Sequence, residues 1–248
     1  MAITTAILSA LAEEQHGLLA LLQRPRRMER AGREFWLGEL QGRPVVLALS
    51  RIGKVAAATT ATTLIERFAA RSIIFTGVAG GLRDGVQVGD LVLGSEYLQH
   101  DMDASPLFPK HEVPLYGRKR FAADPKLLAA LAHAARSFLE RSAAGFRARN
   151  QPGRRLHSGL VVSGDRFMGD NAQTQTLRSE LPDALCVEME GAAVAQVCHD
   201  YAVPFCAVRT ISDRADNSAH VEFSQFVRTV AGPYAVGIVG ELMARISE

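Results

Sequence analysis

Short apolar runs recur along this chain between longer segments of helical spacing. That alternation constrains the fold more than any other feature. "TTAILSAL" (4–11) reads as a strand and "EEQHGLLALLQ" as a helix. "REFWLGEL" and "RPVVLALS" read as a hairpin turning around Gly42. "GKVAAATTATTLIERF" (53–68) is Ala-rich and helical, and it leads into the apolar strand "SIIFTGVAGGL". "DLVLGSEYLQHD", "HSGLVVSGD", "ALCVEME" and "VPFCAVRTISD" are further strands. Helices are expected over 124–142, where Asp124 caps and Pro125 occupies the first turn, and over 172–180, 190–202 and 222–246. The arginine-rich stretch 143–157 reads as a solvated loop. The pattern predicts one α/β domain over residues 1–248, a three-layer α/β/α arrangement around a central mixed, mostly parallel sheet.

The 248 residues suffice for a full core, and a formal net charge of +2 gives no general case for nucleic acid or acidic membrane as partner. No apolar run approaches the ~18 residues of a membrane span, and the N-terminus carries no basic leader. Cys186, Cys198 and Cys206 lack metal-ligand spacing and sit among apolar residues. They read as reduced, buried thiols of a cytoplasmic protein.

In open α/β sheets ligands bind at the carboxyl ends of strands, and the unusual residues cluster there. Glu13 and Glu14 follow the first strand, "SGDRF" (163–167) ends another, "EME" (188–190) the next, and "SDRAD" (212–216) the last. Ionised carboxylates are costly to bury unless something binds them, so their recurrence at strand ends points to acid–base chemistry in one cleft. "GVAGG", with Val78, Ala79 and Gly80, lacks the spacing of a phosphate loop and reads as a tight turn that lets backbone approach a small ligand. His100, Asp101 and Asp103 read as a hydrogen-bonded loop rather than a metal site, and no cofactor is implied.

"SALAEE", "IGKVAAA", "TGVAGGL…GDLVL", "HDMDAS", "VSGDRF", "VEMEGAAVAQVC" and "VPFCAVRTISDRAD" together resemble the 5′-methylthioadenosine/S-adenosylhomocysteine nucleosidases, within the purine nucleoside phosphorylase superfamily. The resemblance runs nearly end to end. It implies hydrolysis of a purine N-glycosidic bond by water, in a homodimer without a metal. It makes Asp213 the acid that protonates purine N7, oriented by Ser212, and Glu14 the base that activates water. Arg209 stands nearby and lowers the carboxylates' pKa values. Glu190 would accept the ribose hydroxyls, Met189 would lie against the sugar, and Glu188 would support them. Phe167 would stack on the purine, and the backbone of Phe167 and Met168 would read its edge. Ile52, Leu107 and Phe223 would receive the 5′-alkylthio group, with Leu107 reaching across the dimer interface.

Val78 departs from a hydroxyl residue of the family pattern, Arg51 from a glycine, and Leu107 and Pro109 from aromatics. A nucleoside phosphorylase, a futalosine-type hydrolase (with Arg51 or Lys110 meeting an anionic 5′ group) and a noncatalytic nucleoside-binding module remain as alternatives.

Overall fold

A computed structural model of the chain describes residues 4–148, 153–215 and 226–245. The elements run β1 (Thr4–Ser9), α1 (Ala12–Leu21), β2 (Gln23–Arg30), β3 (Arg33–Leu40), β4 (Arg43–Leu49), α2 (Lys54–Phe68), β5 (Ala70–Gly81), β6 (Leu91–Gln99), β7 (Arg120–Ala122), α3 (Pro125–Ala148), β8 (Leu156–Ser163), α4 (Asn171–Glu180), β9 (Ala184–Glu188), α5 (Gly191–Asp200) and β10 (Phe205–Asp213). A π-helical turn (Val227–Ala231) then leads into α6 (Gly232–Met243).

All the strands belong to one mixed sheet. Parallel pairs form its centre: β1 lies between β4 and β5, β5 pairs with β10, and β8 lies between β6 and β9. Antiparallel pairs extend and close it. Period-two alternation decides the layers. Ala6 and Leu8 face one way, into a core shared with Ala57, Ala61 and Leu64 of α2 and Val194 and Cys198 of α5. Ile7 faces the other way, with Leu47 and Ile74, onto Leu18 of α1, Leu131 of α3 and Ile238 and Leu242 of α6. The result is the expected helix–sheet–helix sandwich.

Four features differ from the sequence expectation. The segment Gln23–Arg30 forms an extra strand, exposed along nearly its whole length and paired only with β3. "GVAGG" is not a turn. It continues β5 to Gly81, still paired with β10. Because β5 outruns β1, its last residues turn to pair with β9, and β5, β10, β6, β8 and β9 close a ring where an open sheet was expected. Finally, the stretch from 143 is not a loop, since α3 runs on to Ala148. Beyond residues 149–152, which lie outside the described residues, Arg154 Nη1 donates to Val88 O (2.6 Å) and Arg155 N to Asp90 Oδ1 (2.9 Å). This part is pinned to the turn before β6.

Asp124 caps α3 by accepting from Leu127 N at 2.8 Å. The three cysteines are free and buried. The expected start of the last helix, 222–225, lies outside the described residues. Among the described residues no helix is long and apolar enough to cross a membrane.

Candidate active site

At the carboxyl ends of β1, β5, β8, β9 and β10 the sheet leaves a cleft of about 150 Å³. Glu14, Ile52, Val78, Ala79, Gly80, Phe167, Met168, Glu188, Met189, Glu190, Arg209, Ser212 and Asp213 all line it. Leu107 does not, and stands 84% exposed. Phe223 lies outside the described residues. Sequence reasoning missed Ala10, Leu11, Arg166 and Val187, which also line the cleft, and the backbone of Gly53. Only proximity in space identifies these.

The two glutamates of "EME" have different tasks. Glu188, the last residue of β9, is saturated. It takes Arg209 Nη2 at 2.6 Å, Gly191 N at 2.9 Å, Glu190 N at 3.1 Å and the Ser163 hydroxyl. Ser163 Oγ in turn accepts from Ala192 N (2.7 Å). Glu188 therefore neutralises Arg209 and satisfies the first amides of α5, where a helix favours negative charge. Arg209 is 1% exposed and its guanidinium lies over the Phe75 ring, 4.0 Å from the centroid. Glu190 is also buried, yet among the described residues it accepts only Gly53 N–H (2.8 Å). The rest of its acceptor capacity is left to the cleft.

Glu14, in the first turn of α1, is fully buried. Its Oε2 accepts from Ala10 N (2.9 Å) and Leu11 N (3.0 Å), and its Oε1 from Val78 N (3.1 Å). Asp213, at the end of β10, accepts Ala215 N–H at 2.7 Å on Oδ1 and the Ser212 hydroxyl at 2.7 Å on Oδ2. Both anchor along β5: Glu14 at Val78, Asp213 beside Gly80. At about 3.3 Å per strand residue, the two anchor points stand roughly 7 Å apart.

Arg209 does favour the charged forms of Glu14 and Glu190, but it does not lower their pKa values overall. Burial outweighs it. Glu14 is raised by desolvation against three backbone donors and Arg209. Glu190 is pushed up to about 8 by burial and by the charge of Glu188, against Gly53 N–H and Arg209. At Glu14 and Glu190 desolvation decides the sign.

The loops at the mouth are tied together. Gly53, at φ +96°, turns its amide onto Glu190 in a conformation that L side chains rarely adopt. Next to it, Lys54 N donates to Asp165 Oδ1 (2.7 Å) and Lys54 Nζ to Asp101 Oδ1 (2.5 Å), while Asp101 Oδ2 accepts Asp165 N–H (2.9 Å). Asp103 accepts from Ser105. The 100–105 segment is thus the hydrogen-bonded loop expected. Arg51 has φ +62°, which explains why a glycine suits that position. Its guanidinium donates to Gly32 O, and Lys110 pairs with Glu180 at 2.7 Å.

The glycines of β5 are there for space. A Cβ on Gly77 would stand 2.6 Å from Arg209 Nη1 and 3.4 Å from Glu14 Oε1. Arg209 has no room to yield, being buried, stacked and paired. Gly77→Ala is expected to cost about 1–3 kcal/mol of stability, read as a Tm fall of several degrees. An unchanged Tm would mean that the Arg209 pocket is loose.

Residues 4–244 match the phosphorylase superfamily model. The 5′-methylthioadenosine/S-adenosylhomocysteine nucleosidase of Anoxybacillus flavithermus is 39% identical over 227 residues, covering 91% of this chain and 92% of its own. The nucleosidase of that name from Neisseria meningitidis, solved with methylthio-immucillin-A, is 36% identical with a TM-score of 0.88, over 98% of this chain and 99% of its own. The futalosine hydrolase of Helicobacter pylori is 28% identical with a TM-score of 0.85, over 99% of each chain. Near-complete coverage in sequence and fold, around a cleft lined by the carboxylates that the motifs single out, assigns the chain to the 5′-methylthioadenosine/S-adenosylhomocysteine nucleosidase family of the phosphorylase superfamily.

Proposed function

We propose that this chain is a single-domain nucleosidase that hydrolyses the N-glycosidic bond of 5′-thio-substituted adenine nucleosides. Asp213 protonates N7, so that adenine leaves as a neutral base. As the bond lengthens, C1′ gains oxocarbenium character, and water activated by Glu14 attacks from the opposite face. The observation that carries this reading is the pair of buried carboxylates, Glu14 and Asp213, anchored at separate points along β5 and facing one cleft. Burial that raises the pKa of Glu14 also makes its carboxylate a stronger base.

In this reading Glu190 holds the ribose 2′- and 3′-hydroxyls, Met189 packs on the sugar, and Phe167, half exposed beside Met168, stacks on the purine. A second copy of the chain covers Leu107 and completes the 5′ pocket. A phosphorylase is disfavoured because Glu14 repels phosphate where water is wanted. A futalosine-type hydrolase is the second reading, supported by the likeness to the Helicobacter pylori structure. It shares the acid–base chemistry and differs in base and 5′ group.

The test is release of adenine from methylthioadenosine with and without phosphate. Phosphate-independent release is expected. Release that requires phosphate would identify a phosphorylase, and tight binding without turnover a binding module.

Glu190→Gln is expected to weaken nucleosides bearing both hydroxyls by roughly ten- to a hundredfold, since two hydroxyl donors favour the ionised carboxylate in the complex and hydrogen bonds to a charged acceptor are worth about 1.5–3 kcal/mol. A 2′-deoxynucleoside should lose less, and equal losses would remove Glu190 from the 2′-hydroxyl. The same substitution reports on pH. A buried carboxyl raised to about 8 keeps its proton in the folded chain after the unfolded chain has released its own. Stability of the ligand-free protein is then full below the ordinary carboxylate range and is lost as pH rises towards about 8. Glu190→Gln should flatten that decline in a Tm-against-pH series.

A further inference from the structure

We propose that Arg166 selects the charge of the substrate's 5′ tail, pairing with a carboxylate at the end of a 5′-thioalkyl chain. This rests on the nucleosidase reading above and adds a specificity to it.

The loop after β8 is held at both sides of the cleft mouth. Gly164 N donates to Glu188 O at 3.1 Å, and Asp165 is bound to the backbone of Lys54 and, through its own amide, to Asp101. Arg166 is therefore fixed between the Ile52–Lys54 loop and Phe167, and its side chain is exposed while lining the cleft. Among the described residues lining the cleft the cations are Arg166 and Arg209. Arg209 is committed to Glu188 at the cleft's base. Arg166 makes no hydrogen bond or ion pair with a described residue.

The other basic side chains suited to an anionic tail are engaged elsewhere: Arg51 with Gly32 O, Lys110 with Glu180. Of the nearby acids, Asp101 pairs with Lys54 Nζ at 2.5 Å, and Asp165, 3.9 Å from the same ammonium, is tied up by the Lys54 backbone N–H. Deeper in the cleft, Glu14 and Glu190 would repel a second carboxylate. An anionic tail thus has one favourable place, at the rim, with its alkyl stem along Ile52, which is 58% exposed. A guanidinium offers that carboxylate a planar, two-pronged donor.

The experiment compares the parent chain with Arg166→Gln and Arg166→Lys at low ionic strength. The substrates are methylthioadenosine and an adenosine bearing a 5′-carboxyalkylthio chain without an amino group. The readout is the ratio of their kcat/KM values. Arg166→Gln should lower the ratio of carboxylate-tailed to methylthio substrate about two- to fivefold, the upper part of the range of an exposed charge pair. Arg166→Lys should retain part of it, and added salt should erase the difference in the parent chain. A ratio that moves less than about twofold overturns the assignment. An equal fall for both substrates overturns it likewise, and would make Arg166 a reader of the base they share. If the parent chain cleaves neither substrate, the reaction reading fails. The same ratio taken from dissociation constants then still decides what Arg166 does.

Discussion

Asp213→Asn is expected to lower kcat on adenine nucleosides by about 10²–10⁴-fold while Tm and nucleoside affinity stay close to those of the parent chain. The hydrogen bonds around this residue make that separation possible. An asparagine oxygen can keep the Ala215 amide now held at 2.7 Å. Its NH₂ then faces Ser212 Oγ, which now donates to the other carboxylate oxygen at 2.7 Å. A hydroxyl can reverse. Ser212 accepts from the amide and turns its own proton to Ala79 O, already 3.4 Å away. Shape and the hydrogen bonds to Ser212 and Ala215 survive, while the proton for N7 is lost. Steady-state kinetics, a thermal melt and a Kd for a nonhydrolysable nucleoside read the three quantities. A loss below about tenfold in kcat would exclude Asp213 as the acid.

Much of this arrangement was legible in the residues, because buried strands in an α/β core must be apolar and the exceptions at their ends stand out. β1, β4, β5, β8, β9 and β10 appear as apolar runs, and Glu14, Glu190 and Asp213 interrupt the pattern where each run ends. β2 was not legible. "QRPRRMER" has no apolar face because it is a solvent-washed edge, where arginine and Pro25 discourage pairing with another chain. "GVAGG" was misread because glycine has two uses. Here it serves close packing against Arg209 and Asp213, not a reversal of the chain. The division of labour in "EME" came only with the resemblance, which made Glu190 the contact and Glu188 its support; the partners that produce it were out of reach. It depends on Arg209 and Gly53, distant in sequence, which take Glu188 and Glu190 respectively. The closing of β5, β10, β6, β8 and β9 into a ring depends on long-range pairings that no local pattern encodes.

Glu14→Gln should be worse than Asp213→Asn, and the difference follows from the donors around it. Glu14 takes three backbone N–H groups on two oxygens: Ala10 and Leu11 on one, Val78 on the other. A carboxylate, acceptor-only, satisfies them all. A glutamine offers one oxygen. If it stays with Ala10 and Leu11, its NH₂ confronts the Val78 amide, and no hydroxyl intervenes to reverse as Ser212 does. Leaving a buried donor unpaired costs about 1–3 kcal/mol. The variant should therefore lose about 10²–10⁴-fold in kcat through the missing base and also melt several degrees lower. Glu14 has a second effect on pH. Its pKa is raised by burial, so the base is active only above the ordinary carboxylate range, and the acidic limb of the kcat profile should lie higher than a free glutamate would set it. Replacing Glu14 with Gln removes that limb. An acidic limb that persists unchanged in Glu14→Gln would assign it to another group, and water would then need a different base. A variant that melts low but keeps its rate would leave Glu14 as the residue that ties α1 to β5, with no part in the reaction.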